Sequence, residues 1–223
     1  MNRNKDTILL VLLLLLISPS VGQQRVVSSS EPQTLRTFVE IKGRPEYLPS
    51  SFEFSSSVYK YRILSSGRGR RTGGQVAPRS FNLRLDKSYS LDRLIYYAEL
   101  ESDVLLMCEV SDGESGGGFI ARLDGQTLRM KWKREIPGFN LGQGLIQGNH
   151  AYLTAIGFIA KLNLKSGTYH WKHDNLYRDG DFNSFKLPAV EGDVILFKEE
   201  VTYDEPAKTI EVQKQTGKII SIG

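Results

Sequence analysis

The sequence predicts an all-β chain assembled from stacked repeats, and three observations carry that expectation. First, residues Gly118 to Lys133 read GFIARLDGQTLRMKWK and residues Gly157 to Lys172 read GFIAKLNLKSGTYHWK. Gly, Phe, Ile, Ala, Leu, Trp and Lys recur at an offset of 39 residues. A period near 40 with one Trp per unit marks a stacked β-repeat, because one small sheet cannot bury both of its faces alone. Second, short apolar runs crowd the chain from Phe81 onward, separated by Gly- and Asp-rich turns such as SDGESGGG. Third, no stretch beyond the N-terminal apolar run shows a sustained helical period with caps.

The N-terminus comes first. Arg3 and Lys5 precede a purely apolar run of ten residues, Ile8 to Ile17, followed by Ser18, Pro19, Ser20, Val21 and Gly22. Ten residues fall short of the roughly 20 that a spanning helix takes. A basic start, a short apolar run and small residues at Ser20 and Gly22 read as a signal peptide over residues 1–22, cleaved after Gly22. Removing Arg3, Lys5 and Asp6 takes the formal charge from +4 to +3. That mild excess suits an exported protein near anionic surfaces and carries no nucleic-acid signature. Periplasmic or secreted localisation is therefore expected. Cys108 is the sole cysteine, so no intrachain disulfide forms. Within the run VLLMC it reads as a small buried hydrophobe.

Residues 23–36 are expected to be a polar, flexible lead-in, and residues 37–90 an irregular β region that is a candidate fourth unit. Strands are predicted at Thr37–Ile41, Ser51–Phe54 and Val58–Leu64, the last alternating apolar and polar residues. The following SSGRGRRTGG, Ser65 to Gly74, reads as a solvated loop. Then come FNLRLD, LIYYAELE, DVLLMCEV, GFIARLD and LRMKWKRE. A third, weaker unit follows. DVILFKEE from Asp193 echoes DVLLMCEV from Asp103, and TIEVQKQTGKIIS from Thr209 echoes the end of the Trp-bearing repeat at an offset of 50, with VTYDEPAK absorbing the difference. Residues 91–223 thus hold three repeats of about 40–50 residues, each expected to be a four-stranded sheet.

The repeats resemble the quinoprotein-type β-propeller repeat, in which Asp or Asn, a Thr or Ser three residues on, a Gly after it and a Trp eight residues after the Asp mark each blade. Asp124, Thr127 and Trp132 occupy these positions in the first unit, Asn163, Ser166, Gly167 and Trp171 in the second, and Thr216 and Gly217 in the third. The resemblance covers about 130 residues and implies a small or partial β-propeller in which Trp132, Trp171, Gly167 and Gly217 are structural repeat residues. There are departures. Leu128 stands in place of the turn glycine, so Gly125 is expected to relocate the turn. Arg122 and Lys161 stand where the family has a small Ala beneath the docked Trp, which predicts looser docking, and Ser221 replaces the third Trp. The family's quinone-dependent enzymes are larger and many carry an adjacent cysteine pair, so the chain is expected to be a non-catalytic member with no cofactor.

Few groupings carry chemistry. Asp179, Asp181 and Asn183 alternate like the start of a calcium loop, but Ser184 and Val190 replace the glycine and the bidentate Glu of an EF-hand, leaving a weak metal candidate. His170 and His173 sit three apart on a strand, which aims them at opposite faces and argues against shared zinc ligation. Lys131-Trp132-Lys133-Arg134 interleaves an aromatic with cations, but the repeat position directs Trp132 into packing. Arg68, Arg70 and Arg71 form the densest basic point and the binding candidate, because Arg pairs bidentately with phosphate or carboxylate. The function expected is an exported, non-catalytic binding or scaffold module for a protein or envelope partner, with self-association through open propeller flanks. The alternative is a small metal- or sugar-binding protein or enzyme using the loop Asp174–Asn183.

Overall fold

All eighteen elements of the computed structural model, which describes residues 34–41, 50–176, 184–200 and 207–223, are β-strands. The chain divides into Met1–Pro32 and Gln33–Gly223. The expected signal peptide, most of the lead-in, the segment Asp179–Asn183 and most of VTYDEPAK lie outside the described residues.

Four antiparallel sheets follow in chain order. Sheet 1 contains β3 (Ser51–Ser55), β4 (Lys60–Leu64), β5 (Arg68–Thr72) and β6 (Arg79–Asn82). Sheet 2 contains β7 (Ser90–Leu100), β8 (Asp103–Ser111), β9 (Gly116–Leu123) and β10 (Met130–Ile136). Sheet 3 contains β11 (Leu145–Gln147), β12 (His150–Ala155), β13 (Phe158–Asn163) and β14 (Tyr169–His173). Sheet 4 contains β15 (Ala189–Glu191), β16 (Val194–Lys198), β17 (Thr209–Gln213) and β18 (Ile219–Ile222).

Burial patterns explain how the sheets stack. In β8 the continuous run DVLLMCE is buried throughout, and alternate residues enter different cores. Leu105 and Met107 pack with Ala151, Leu153, Phe158 and Ala160 of sheet 3, while Val104, Leu106 and Cys108 pack with Phe52, Tyr61, Ile63 and Phe81 of sheet 1. The two β8 faces are therefore both interior, which is why its sequence does not alternate. Sheet 3 repeats the arrangement, giving Tyr152, Ile159 and Trp171 to a core shared with Phe197, Ile210 and Val212 of sheet 4. In sheet 1, by contrast, β4 alternates exposed and buried, with Tyr61 and Ile63 inward and Lys60, Arg62 and Leu64 outward. The molecule is thus all-β, a partial propeller of four sheets stacked in series with the outer face of sheet 1 in solvent.

One short segment bridges the two central sheets. β1 (Leu35–Thr37) pairs with β11 of sheet 3 and β2 (Val39–Glu40) pairs with β7 of sheet 2. Phe38, between them, is fully buried; its N–H donates to Gly144 O at 3.2 Å and its carbonyl accepts from Gln143 Nε2 at 2.7 Å. Leu35 and Arg36, assigned by sequence to the lead-in, are therefore strand residues that close a sheet edge.

Two local expectations are corrected. The predicted loop Ser65–Gly74 contains β5, flanked by positive-φ glycines at Gly67 and Gly73. Gly69 is what lets the strand sit there, since a Cβ on it would lie 2.2 Å from Phe81 Cζ. The turn of the first repeat is not relocated to Gly125. Leu128 itself adopts φ 59 and its N–H donates to Asp124 O at 2.8 Å. Gly167 does the same toward Asn163 O and Gly217 toward Gln213 O, each at 2.8 Å. Asp124 Oδ1 accepts from the N–H groups of Gln126 and Thr127, and Asn163 Oδ1 from those of Lys165 and Ser166, so the side chain before each turn holds it closed.

Candidate functional site

The three arginines of the basic run are split by the pleat of β5. Arg68 and Arg70 point to solvent from the outer face of sheet 1, whereas Arg71 is 2 % exposed and points into the interface with sheet 2. Arg71 Nη1 donates to Gly125 O, Nη2 reaches Gln126 O at 3.5 Å, and the guanidinium lies 4.2 Å from the Tyr59 ring centroid. Arg71 is thus removed from the expected surface cluster because alternation and a buried acceptor place it inside.

The same inward position recurs in the next two sheets. Arg122 of β9 donates from Nη1 to Leu164 O at 2.7 Å, and Lys161 of β13 donates to Lys214 O at 3.0 Å. Gly125, Leu164 and Lys214 each follow the first residue of the turn in the next sheet. Trp132 pairs with Arg122 and its Nε1 also donates to Leu164 O, at 3.1 Å; Trp171 pairs with Lys161 and its Nε1 donates to Lys214 O, at 3.1 Å. A carbonyl oxygen has two lone pairs, and here one takes the indole and the other the cation. The cations beneath the tryptophans therefore add to the docking, contrary to the expectation that they loosen it. Gly167 and Gly217 complete the fit, since a Cβ there would lie 2.5 Å from Trp132 Cδ2 and 2.4 Å from Trp171 Cγ. In sheet 4 the corresponding register pair is Glu211 and Ser221.

Arg122 is held by Asp103, whose Oδ2 lies 2.5 Å from Arg122 Nε and 2.7 Å from Lys131 Nζ. Burial alone raises the Asp103 carboxyl, but hydrogen bonds from Lys131, Arg122 and the Gly125 N–H outweigh it and hold it below the usual carboxylate range.

On the outer face of sheet 1, Arg68 and Arg70 join Lys60 and Arg62, which the sequence reading passed over because β4 reads as an ordinary half-buried strand. Arg62 and Arg70 are direct cross-strand partners, as are Arg68 and Asn82, and Arg70 and Ser80. Like charges directly opposite each other cost stability, so this pairing is not a packing solution. The one carboxylate in register is Glu53, 3.5 Å from Arg62 Nε, with both side chains more than half exposed. Arg68 and Arg70 have no ion-pair partner among the described residues. Leu64, Ser80 and Asn82 complete a shallow, open depression around these arginines.

Asp179, Asp181 and Asn183 lie outside the described residues. Asp174 is paired with Lys172. Burial drives the Cys108 thiol far up, which keeps it protonated and inert. His173 Nε2 meets Gly217 O at 2.7 Å, while His170 turns away and meets His150, Nε2 to Nε2 at 2.9 Å. No local spacing announces that last pair, because the two residues lie on strands separated by β13. A cleft of about 290 Å³ beside sheet 2 is lined by Tyr89, Gly116, Gly117, Lys133 and Glu135 and carries both signs of charge; Lys133 within it is tied to Arg84 O and lies over the Phe119 ring.

No protein-family model matches the chain, and no curated protein matches it. Among solved structures it is similar to a europium-containing methanol dehydrogenase, at 12 % identity and a TM-score of 0.43 over 58 % of this chain and 24 % of that one. It is similar to BamB from Moraxella catarrhalis at 13 % identity and a TM-score of 0.35, over 74 % of this chain and 61 % of that one. It is also similar to apo AztD from Citrobacter koseri at 14 % identity and a TM-score of 0.45, over 81 % of this chain and 48 % of that one. The chain spans less than two thirds of the length of each of these structures. At such identities and scores the likeness adds nothing to the fold assignment, which the four stacked sheets carry.

Proposed function

We propose that the chain is an exported, non-catalytic propeller module that docks through the outer face of sheet 1 onto a phosphate-bearing surface of the cell envelope. The observation that supports this most is the direct pairing of Arg62 with Arg70 across two strands, flanked by Arg68 and Lys60 on the same exposed face. Two guanidinium groups held side by side on a rigid sheet repel each other in the free protein and are relieved by anionic phosphate oxygens placed between them. Arg is suited to that role because its planar fork meets phosphate oxygens bidentately. Ser80 and Asn82 stand in register beside them as neutral donors. The N-terminal signal-like run, with its basic start and ten-residue apolar stretch, supports delivery to the compartment where such a surface lies.

Co-sedimentation of the purified chain with vesicles tests the reading. Binding is expected to vesicles containing phosphatidylglycerol, not to those of phosphatidylcholine alone, and is expected to fall steeply as salt screens the exposed charges. Arg62→Gln with Arg70→Gln is expected to abolish it while leaving the fold intact. Equal binding of the double variant and the parent contradicts the assignment. A photo-crosslinker at Ser80 that captures an acidic protein in cells, without vesicle binding, replaces the lipid surface by a protein partner.

A further inference from the structure

We propose that His150 and His170 form a two-imidazole site for a divalent transition-metal ion of the copper and zinc class, with its remaining coordination positions open to water. The outermost strands of sheets 2, 3 and 4 each carry an irregularity at the same place, which skips Lys131 in β10, His170 in β14 and Ile220 in β18. A bulge of this kind re-aims the skipped side chain. The first position of the second strand in each sheet supplies its counterpart, namely Asp103 in β8, His150 in β12 and Val194 in β16. One structural position thus carries an ion pair in sheet 2, an imidazole pair in sheet 3 and an apolar pair of residue types in sheet 4.

In sheet 3 the chemistry is that of ligands. The two Nε2 atoms lie 2.9 Å apart, and the rings are 4.6 Å apart at an interplanar angle of 60°. Two imidazole nitrogens on one tetrahedral ion, each at 2.0–2.1 Å, stand about 3.3 Å from each other. A few tenths of an ångström of side-chain movement separates the observed pair from that geometry. Neither Nε2 has another hydrogen-bond partner among the described residues. His170 is exposed and His150 half-buried, so an ion enters from solvent without opening the core.

The ammonium of Lys161, on the intervening β13, is bonded to Lys214 O of sheet 4 at 3.0 Å. Imidazole donors favour zinc and copper over the hard ions magnesium and calcium, and copper binds such a site more tightly than zinc.

Titration of the purified chain with Cu²⁺, Zn²⁺ and Mg²⁺, followed by calorimetry and by the imidazole resonances of the three histidines, tests the site. One Cu²⁺ or Zn²⁺ per chain is expected, copper the tighter, with no response to Mg²⁺ and with shifts confined to His150 and His170. Loss of a supporting residue around a metal typically costs 10–100-fold in affinity, so His150→Gln and His170→Gln, which remove ligands, are each expected to weaken binding by at least about that much. His173→Gln is the control and is expected to bind as the parent does, because His173 Nε2 is engaged with Gly217 O. Far-UV circular dichroism confirms that each variant retains the sheets. No saturable binding by the parent, or unchanged affinity in the double variant, overturns the proposal.

Discussion

Arg122 and Trp132 donate to one carbonyl oxygen, that of Leu164 in the next sheet, at 2.7 and 3.1 Å. Lys161 and Trp171 repeat the relationship on Lys214 O, and Arg71 makes the cationic half of it on Gly125 O. Sheets 1, 2 and 3 are thereby each fastened to the turn of the sheet that follows. The fastening is polar and directional, whereas the apolar cores between sheets specify area more than register.

The relative weight of the two donors is testable in sheet 2. Trp132→Phe keeps most of the buried ring and leaves Leu164 O satisfied by Arg122, so it is expected to cost about 1–2 kcal/mol in urea unfolding. Arg122→Leu leaves the buried Asp103 with Lys131 and the Gly125 N–H but without its guanidinium partner, and removing one partner of a buried pair costs about 3–5 kcal/mol. The arginine change is expected to be the larger of the two. The reverse order indicates that indole packing, not the cation, fixes the docking.

Leu128 sets two effects against each other. A left-handed non-glycine residue stores about 1–2 kcal/mol of strain, which Leu128→Gly releases. Its side chain is only 2 % exposed within the core shared by sheets 1 and 2, and truncating a buried Leu costs about 2–5 kcal/mol. Net destabilisation of about 1–3 kcal/mol is expected by thermal or chemical denaturation. A stabilised variant contradicts the view that packing holds this turn.

Phe38 spans the two central sheets from a segment, Leu35–Glu40, only six residues long. Phe38→Ala is expected to cost about 3–5 kcal/mol, the range for truncating a buried Phe. Hydrogen exchange is expected to speed up along β11 and β7, whose edges the segment covers, more than along β16 and β17. Uniform acceleration in all four sheets contradicts a local bridging role.

Acid has two separable effects. The His150 imidazole titrates at about 4 in the fold against about 6.5 in the unfolded chain, so the unfolded state binds more protons between those values. The stability it contributes is complete above pH 6.5 and is lost as pH falls toward 4. The groups facing it are Lys161, which disfavours protonation, and His170. The lowered Asp103 carboxyl acts further down, its contribution being present above about pH 3.9 and lost below that. Urea midpoints measured against pH are expected to slope between pH 6.5 and 4, and His150→Gln is expected to flatten that segment only.

Much of this architecture was legible before the structure. Alternation in VYKYRIL marked a strand with one open face, and the recurring Asp/Asn–Thr/Ser–Gly–Trp spacing marked the turns and the docked tryptophans. β5 was not legible, because GRGRRTGG carries glycine where a large Phe81 ring must fit and arginine on both faces. A strand whose inward residues are Gly and Arg has no hydrophobic period to read. The acceptors of the cations were hidden for another reason. Arg71 and Gly125 are 54 residues apart, Arg122 and Leu164 42, and Lys161 and Lys214 53, so no fixed spacing links donor to carbonyl. The His150–His170 pair was missed in the same way, since it forms across an intervening strand and depends on a bulge that leaves no local mark in the sequence.

The most direct test of the account compares two adjacent arginines on β5. Arg71 faces the interface and holds Gly125 O, while Arg70 faces solvent opposite Arg62. Equilibrium urea unfolding of Arg71→Gln and Arg70→Gln separates a fastening from a docking residue. Arg71→Gln is expected to lose about 1.5–3 kcal/mol, the worth of a charge-assisted hydrogen bond, while Arg70→Gln is expected to stay within about 0.5 kcal/mol of the parent. Equal, small effects at both positions would contradict it.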